Sequence, residues 1–364
     1  MNKKTIGFTI GSLNAGGAER VLTSLANELI KNYNVTIITL VRCDSFYELH
    51  PQIKIRNCNL GRSGAHSTFD AIKKNIRKLQ KITEIVNQEG IELLIGFTTS
   101  INVLTVISSH LSKIPSIISE RNNALLDPPN KFWKTLRNIT YKYANFLVVQ
   151  TLANKSFYAK IVPNEKIFVI KNPIAPSLAS KRLKSIDKKK SILTVGRLDS
   201  NKSQDLLIKA FSNISENYNW YLQIVGDGKK KEDYKQLVKN LNIENQVSFL
   251  GNVTNLYDYY NDASIFVLTS KSEGFPNTLA EALYFGIPCI STNCPHGPSD
   301  LITNGINGLL IEVDNQQMLE NELEKLINNK KLRNNISKNA IKKSQQLNID
   351  LIIGLWEKLI KEVL

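Results

Sequence analysis

Residues 265–282 read IFVLTSKSEGFPNTLAEA, and this segment combines a strand pattern with a helix pattern. The apolar run at its start predicts a buried strand. Gly274 and Pro276 predict a loop, and a helical pattern starts near Asn277 or Thr278, both good N-cap residues. The segment therefore predicts a strand–loop–helix unit, the building block of a parallel α/β sheet.

Two glutamates lie eight positions apart in this unit. Glu273 falls on the predicted loop and Glu281 about one turn into the predicted helix. Two carboxylates can bind hydroxyl groups, and the backbone N–H groups at the helix start can bind an anion. Together they suit a nucleotide-sugar. The spacing equally fits two solvated glutamates beside an ordinary helix cap.

The rest of the chain repeats the same alternation of apolar runs and helical patterns, which predicts parallel, doubly wound sheets. Predicted strands cover residues 5–10, 35–41, 93–97, 116–119, 146–149, 191–196, 221–225, 247–250, 265–268, 288–292 and 308–313. Predicted helices lie near 17–31, 69–88, 101–111, 131–144, 203–216, 229–241, 254–262, 278–285 and 315–328, and the last 20 or so residues form an amphipathic helix.

The chain length and a proline-containing, charged segment near the middle predict two domains. A chain of 364 residues is long for one core. Prolines and charges mark a linker at 173–190 between domains at 1–172 and 191–345, followed by the final helix at 346–364. Two Rossmann-like domains facing across a cleft would bind a ligand at the carboxyl ends of their strands.

Composition restricts the class of protein. Apolar content of 42% and a mean hydropathy of −0.19 are typical of a soluble globular protein. We expect neither a transmembrane segment nor a signal peptide. The four cysteines have no zinc-ligand or Cys-x-x-Cys spacing and are expected to be reduced core thiols. No Asp-x-Asp motif occurs, so we expect no metal.

The net charge of +15 is concentrated in the first half of the chain. Residues 1–180 carry +12 and residues 181–364 carry +3. A one-sided basic surface favours a polyanionic partner, namely nucleic acid, an anionic membrane or a phosphate-bearing substrate, although a solvated surface without a partner fits as well. No nucleic-acid-binding motif is recognisable, so we expect no nucleic acid.

Four further motifs are candidates for ligand contact. Gly16 and Gly17 lie between the first strand and the first helix, where backbone amides can approach a ligand. Arg197 and Lys202 follow the first strand of the second half and suit a diphosphate. The glycines around Asp227 would let a flat base lie close to the backbone, and His296 lies on a small-residue loop. Tight turns, surface cations and loop filling are the competing interpretations.

In this order, the motifs resemble glycosyltransferase family 4, a family of retaining enzymes, and the resemblance covers essentially the whole chain. It rests on Gly16-Gly17-Ala-Glu-Arg20, Gly196-Arg197 with Lys202, Gly226-Asp227-Gly228, Ser272-Glu273-Gly-Phe-Pro with Glu281, and Gly297-Pro298-Ser. It implies the GT-B fold, with an N-terminal acceptor domain, a C-terminal nucleotide-sugar domain and a final helix that crosses back to the first domain.

The resemblance also implies roles for individual residues. Glu273 would hold hydroxyls of the donor sugar and Glu281 those of the ribose. Arg197 and Lys202 would bind the diphosphate, which Gly16 and Gly17 approach from the other domain. Donor contacts would also come from Gly226, Asp227, Phe275, Pro276, Asn277, Thr278, Leu279 and His296. Such enzymes need no metal, and the implied donor is a UDP-hexose or UDP-N-acetylhexosamine.

One departure from the family pattern concerns the strand at 116–119. Many relatives carry a histidine after it, whereas this chain has Glu120 and Arg121. The Ser-Glu-Arg-Asn form resembles a subgroup that builds bacterial surface polysaccharides. Both residues are candidates for acceptor or phosphate contacts, and a structural ion pair at a strand end is the alternative.

A basic helix at residues 69–86 is the candidate for acceptor and membrane contact. Helical spacing puts its cations along one side and its apolar residues along another, so we expect it to lie on the anionic cytoplasmic membrane face and meet a lipid-linked diphosphate. A core helix with a solvated face is the alternative. The cations are Lys73, Lys74, Arg77, Lys78 and Lys81.

The sequence therefore predicts a cytoplasmic, peripherally membrane-associated bacterial glycosyltransferase that extends a lipid-linked glycan from a UDP-sugar. Two alternatives remain open. One is another GT-B activity such as a nucleotide-sugar 2-epimerase, for which His296 is the obvious acid–base candidate. The other is a non-catalytic nucleotide-sugar-binding protein.

Overall fold

The computed structural model describes residues 3–59, 68–125, 128–183 and 188–364. Residues 184–187, which belong to the predicted linker, lie outside the described residues. The chain divides into two compact units, one of residues 1–175 with 349–364 and one of residues 176–348.

The first unit contains a seven-stranded parallel sheet of order β3-β2-β1-β4-β5-β6-β7. Its strands are β1 (Thr5–Ile10), β2 (Asn34–Thr39), β3 (Lys54–Asn57), β4 (Leu93–Phe97), β5 (Ser116–Ser119), β6 (Phe146–Val149) and β7 (Ile167–Val169). Its helices are α1 (Gly17–Leu29), α2 (Thr68–Gln88), α3 (Thr99–Leu111), α4 (Lys131–Thr140) and α5 (Leu152–Tyr158), with 3-10 turns at Tyr141–Tyr143 and Asn164–Lys166.

The second unit contains a six-stranded parallel sheet of order β10-β9-β8-β11-β12-β13. Its strands are β8 (Lys189–Val195), β9 (Tyr221–Val225), β10 (Val247–Gly251), β11 (Ala263–Leu268), β12 (Cys289–Thr292) and β13 (Leu309–Ile311). Its helices are α6 (Pro176–Ala179), α7 (Gln204–Ser215), α8 (Lys231–Asn240), α9 (Leu256–Asp262), α10 (Asn277–Tyr284), α11 (Pro298–Leu301), α12 (Gln316–Asn328) and α13 (Lys330–Ser344), with a 3-10 turn at Gln345–Leu347.

The last helix, α14 (Ile349–Val363), packs into the core of the first unit. Its buried face consists of Ile352, Trp356, Leu359 and Ile360, and the ring of Trp356 stacks on Phe97 with centroids 6.2 Å apart. The buried positions recur three and four residues apart, as an amphipathic helix requires.

Both sheets have a topological switch point, where successive strands leave in opposite directions. It lies between β1 and β4 in the first sheet and between β8 and β11 in the second. Ligands of open α/β sheets bind outside the carboxyl ends of the strands at such points. Strands β4 and β11, beside these switch points, are buried along their whole length, which explains their continuous apolar runs.

The expected α/β fold of two parallel-sheet units is confirmed. Five short elements were absent from the sequence prediction, namely β3, β7, α5, α6 and α11, and so was the 15-residue helix α13. One detail of α10 was wrong: Pro276 occupies the N-cap, without a side-chain cap, and Asn277 is the first helical residue.

Candidate functional site

The loop after β11 carries Glu273 in a buried, charged setting. Its Oε1 accepts hydrogen bonds from the Lys202 ammonium at 2.5 Å and from the Ser270 hydroxyl at 2.6 Å. The side chain of Glu273 is 8% exposed and that of Lys202 is 20% exposed. Glu273 follows β11 and Lys202 follows β8, so this ion pair lies at the switch point of the second sheet.

The loop after β8 owes its shape to Asp199. One carboxylate oxygen accepts the backbone N–H groups of Asn201 and Lys202, at 3.0 and 2.9 Å. The other oxygen accepts the Arg197 guanidinium at 2.5 Å. Partial burial acts to raise the pKa of Asp199, but these donors outweigh it and lower that pKa. Asp199 thus fixes the backbone from which Lys202 reaches Glu273.

Arg197 and Lys202 differ in their surroundings. Lys202 is largely enclosed, whereas the side chain of Arg197 is 74% exposed and its only ion pair within the described chain is with Asp199. Arg197 is therefore accessible to a ligand. The two loops are joined by Asn201, whose side-chain amide donates to the Ser272 carbonyl at 2.9 Å.

The start of α10 lies directly after Glu273. The first intrahelical bond runs from the Ala280 N–H to the Pro276 carbonyl, so Thr278 and Leu279 lie in the first turn. The N–H of Asn277 donates to the Phe275 carbonyl at 3.0 Å. Of the amides predicted to face a donor, that of Asn277 is thus already engaged.

Glu281 lies in the second turn of α10 and is 3% exposed. Its Oε2 accepts the hydroxyl of Tyr260, on α9, at 2.9 Å. The expectation that Glu273 lies on a loop and Glu281 inside the following helix is confirmed.

The structure gives a reason, not visible in the sequence, why the positions on either side of Asp227 require glycine. Gly226 has φ of 131°, and a Cβ on it would lie 2.0 Å from the Gly196 carbonyl oxygen. A Cβ on Gly228 would lie 2.3 Å from the Leu198 carbonyl oxygen. Both glycines therefore allow the loop after β9 to pack on the loop after β8, and their contact with a base stays a prediction.

Asp227, between these glycines, pairs with Lys231 at 2.9 Å and accepts its neighbour's N–H. The hydrogen bond from Lys231 is the main reason why the pKa of the Asp227 carboxyl is lowered.

The loop with His296 lies against the start of α10, because a Cβ on Gly297 would come within 2.4 Å of Pro276. His296 is 6% exposed and has φ of 66°. Its Nδ1 is buried and finds no hydrogen-bond partner among the described residues. Burial lowers the pKa of His296, and the nearby Asp300 opposes that shift.

In the first unit, Gly16 is the N-cap of α1 and Gly17 its first residue. The carboxylate of Glu19 folds back over the cap: a Cβ on Gly16 would lie 2.1 Å from it. Burial raises the pKa of Glu19. At this helix N-terminus the Glu19 carboxylate occupies the position where a ligand anion would bind.

Glu120 lies in a buried polar cluster and makes no ion pair with Arg121. It is 1% exposed, and its carboxylate accepts hydrogen bonds from Tyr141 and from Thr99, the latter at 3.1 Å. Burial raises the pKa of Glu120, opposed by these hydrogen bonds and by the charge of Arg137. These contacts favour a role in positioning the strand end.

Arg121 is 9% exposed and stands over the Phe97 ring at 4.6 Å. One guanidinium nitrogen donates to Asn172 at 2.5 Å, and Nε and Nη2 find no partner in the part of the chain that the structure describes. Burial lowers the pKa of Arg121 to about 9. The alternative of a Glu120–Arg121 ion pair is therefore wrong.

The five cations of α2 are not equivalent. Lys74 pairs with Asp70, and Lys81 pairs with Glu84. Lys78 is half-buried, which lowers its pKa. Lys73 and Arg77 are exposed and line a cavity of about 370 Å³ with Gln80 and with two isoleucines, Ile72 and Ile76.

Ile72 and Ile76 are 45% and 49% exposed, whereas Ile82 of the same helix is fully buried. The apolar side of α2 is thus divided between core and solvent.

Sequence reasoning missed three residues that position the site: Asp199, Ser270 and Tyr260. No motif marks them. The only available signal was that a buried carboxylate needs hydrogen-bond donors from neighbouring elements. In the described ranges no group of three or more His, Cys, Asp or Glu side chains is arranged to bind a metal ion. Nor does any described helix meet the length and apolarity needed to cross a membrane.

Comparisons with known proteins agree with this architecture. Residues 15–178 match the model of "Glycosyltransferase Family 4", and residues 178–343 match that of "Glycosyl transferases group 1". Solved structures of the same fold include Anabaena HepE in complex with UDP (TM-score 0.78, 18% identity, 99% of this chain and 100% of that one). A Rickettsia africae glycosyltransferase is similar as well (TM-score 0.80, 19% identity, 100% of this chain and 99% of that one).

Two curated relatives span nearly the whole chain. A Campylobacter jejuni protein is 33% identical over 98% of both chains, and it is named GalNAc-α-(1→4)-GalNAc-α-(1→3)-diNAcBac-PP-undecaprenol α-1,4-N-acetyl-D-galactosaminyltransferase. A Haemophilus influenzae protein, described as an uncharacterized glycosyltransferase, is 30% identical over 97% of this chain and 99% of its own.

Two parallel-sheet units, with a glutamate–lysine pair at a switch point, define a glycosyltransferase of the GT-B class. The chain belongs to glycosyltransferase family 4, and the resemblance of its motifs to that family is confirmed.

Proposed function

We propose that this glycosyltransferase moves a hexose or N-acetylhexosamine from a UDP-sugar to a polyprenyl-diphosphate-linked glycan, with retention of configuration and without a metal. The reaction takes place at the cytoplasmic membrane face, in assembly of a bacterial cell-surface glycan. The observation that carries the proposal is the buried Lys202–Glu273 pair at the switch point of the second sheet.

The pair supplies both functions that a sugar-nucleotide donor requires. Glu273 holds hydroxyl groups of the sugar, as an oriented carboxylate does. Lys202 and the exposed Arg197 bind the diphosphate, which gains negative charge when the bond to the sugar breaks. Cations preorganised at that position stabilise the transition state more than the ground state, and this is the condition for a faster chemical step. Glu281, steadied by Tyr260, holds the ribose.

The names of two relatives support the proposal that the acceptor is a glycan linked to a lipid through a diphosphate. The Campylobacter jejuni protein is named as acting on a glycan linked to undecaprenol through a diphosphate. A second Campylobacter jejuni relative, 28% identical over 90% of this chain, is named as an N-acetylgalactosaminyltransferase that acts on a diphospho-undecaprenol glycan. The basic first unit suits such an anionic acceptor in an anionic membrane.

The test is a panel of labelled UDP-sugars incubated with a lipid-linked glycan pool. Transfer of label to the lipid, with an α-linked product, supports the proposal. Interconversion of UDP-sugars without acceptor would instead identify an epimerase, and binding without turnover a sensor. The same assay with a chelating agent should give unchanged rates, since no step is assigned to a metal, and a lost rate restored by a divalent cation would contradict metal independence.

Membrane contact through α2 is a separate part of the proposal. Replacing Lys73 and Arg77 by Gln should weaken binding to anionic vesicles about thirtyfold, because each exposed cation near such a surface contributes about 1 kcal/mol and two are removed. Lys74 and Lys81 already pair with carboxylates on the same helix. The matched control is therefore the double substitution Lys74→Gln and Lys81→Gln, which should have a smaller effect. Equal losses in both variants would contradict the assignment to Lys73 and Arg77.

A further inference from the structure

Helix α4 presents an apolar stripe to solvent that the site does not use. The stripe consists of Phe132 and Ile139 on α4 and Tyr143 in the 3-10 turn that follows it, which are 47%, 53% and 62% exposed. Phe132 and Ile139 are seven residues apart, so they project from the same side of α4.

Other side chains of α4 account for its packing without the stripe. Arg137 is 1% exposed and Thr140 is buried, and Trp133 and Leu136 pack against the core. The helix is therefore held in place by one face. Large apolar side chains on the other face gain nothing from the fold, and a contiguous exposed apolar surface marks a site of interaction.

The charge around the stripe identifies the kind of partner. Residues 131–143 contain three exposed lysines and no Asp or Glu, namely Lys131, Lys134 and Lys142. Apolar and aromatic side chains bordered by lysines are the pattern of a helix that lies in the interface of an anionic bilayer. A protein partner would need carboxylates at positions opposite these lysines. A membrane with anionic headgroups presents negative charge over its whole surface.

The position of α4 supports the same partner. Trp133 packs against the cluster that contains Ile82 of α2, so the two helices lie on the same side of the first unit. Helix α2 exposes Ile72 and Ile76 beside Lys73 and Arg77. Both helices thus combine exposed apolar side chains with cations that have no ion pair among the described residues, namely Lys73 and Arg77 on α2 and Lys131 and Lys134 on α4.

We propose that the stripe of Phe132, Ile139 and Tyr143 inserts into the anionic bilayer, so that the membrane contact of the first unit extends from α2 to α4 and the turn after it. This inference rests on the proposed action at a membrane. It assigns the apolar part of binding to α4 and leaves the lipid-linked acceptor to the site itself.

The experiment compares two triple variants of the full chain by co-sedimentation with vesicles containing anionic lipid. The first carries Phe132→Ser, Ile139→Ser and Tyr143→Ser. The matched control carries Leu351→Ser, Ile306→Ser and Tyr221→Ser, which are also exposed, at 59%, 55% and 50%. We expect the α4 variant to lose vesicle affinity more than tenfold and the control to bind like the unaltered protein.

Tryptophan fluorescence gives an independent measurement. Trp220 and Trp356 are 5% and 1% exposed, whereas Trp133 on α4 is half-buried. Brominated lipids should therefore quench mainly Trp133, and should quench it less in the α4 variant. Equal binding of both triple variants, or absence of quenching, would overturn the proposal. So would a lipid-free dimer that the α4 substitutions convert to a monomer, because the stripe would then be an interface between copies of this chain.

A water-soluble, short-chain diphosphate glycan separates this inference from the proposed function. The α4 variant should use it at the unaltered rate, because the stripe is assigned to the bilayer alone. If no acceptor supports transfer but vesicle binding still falls in the α4 variant, the membrane surface stands and the proposed function fails.

Discussion

At the level of single residues, the account depends on charges that are buried in pairs. Lys202 and Glu273 are each largely removed from water, and their 2.5 Å contact offsets the loss of solvation. Ser270 adds a neutral donor to the same carboxylate oxygen. A loop that carries such a pair is held in one geometry before any substrate arrives, which is what a binding site for a charged donor requires.

The buried His296 should make stability depend on pH. Burial lowers its folded-state pKa below the ordinary value near 6.5, so the unfolded chain takes up a proton first as pH falls. Its contribution to stability is therefore complete above the unfolded pKa and is lost as pH falls through the folded pKa, at about 1.4 kcal/mol per unit of difference. Urea unfolding should show a smaller acid loss for His296→Gln than for the unaltered protein. An equal loss would show that this imidazole is not the responsible group.

Gly226 should be among the least replaceable glycines of the second unit. Gly226→Ala adds a methyl group at φ of 131° and 2.0 Å from the Gly196 carbonyl oxygen, so we expect a loss of about 2–4 kcal/mol in the free energy of unfolding. Gly305→Ala is the control, since Gly305 has φ of 75° with nothing within 4 Å. It should cost only the backbone term of about 1–2 kcal/mol. Similar losses at both positions would mean that the loop contact contributes nothing.

At the level of helices and strands, most long periodic segments were predictable and the shortest ones were not, although the 15-residue helix α13 was also missed. The segment of β11 and α10 was identified because its apolar run predicts a strand, and its glycine and proline predict the loop that separates this strand from the helix. Strand β3 alternates Lys and Arg with Ile and Asn at the sheet edge, so its pattern resembles a solvated loop until it pairs with β2. Strand β7, with three residues, is too short to show any period.

The same distinction applies to the candidate site. Glu273, Glu281, Arg197 and Lys202 were found because they lie in short motifs. Asp199 and Ser270 act within their own loops, on the segment from Arg197 to Lys202 and on Glu273, and the motifs gave no sign of these contacts. Tyr260 reaches Glu281 from another helix, and such a contact leaves no spacing in the sequence. The close approach of Gly226 to the Gly196 carbonyl was not predictable, because the two residues are 30 positions apart along the chain, and donor contact by Gly226 stays a prediction.

Helix α14 should be an obligatory part of the first unit. Trp356 is 1% exposed and stacks on Phe97, so Trp356→Ala should lower the free energy of unfolding by about 3–5 kcal/mol. Leu355→Ala, on the solvent side at 47% exposed, is the matched control and should change it by less than about 0.5 kcal/mol. Equal, small effects in chemical denaturation would show that α14 is only loosely attached.

At the level of the whole molecule, the net positive charge is distributed unevenly between the two units. The first 180 residues carry +12, and the exposed cations of α2 and α4 belong to them. The remaining residues carry only +3, and their central cation, Lys202, is committed to a buried carboxylate. We therefore assign general attraction to an anionic surface to the first unit and specific recognition of a charged donor to the second, in line with the proposed function.

The central claim is that Glu273 holds the donor sugar during transfer. The most direct test compares Glu273→Gln with the unaltered protein in the transfer of labelled sugar to a lipid-linked glycan, after circular dichroism has verified the fold of both. The account predicts at least a hundredfold lower turnover, since the carboxylate that orients the sugar is gone, an effect of about 2.7 kcal/mol or more. Turnover equal to that of the unaltered protein would contradict it.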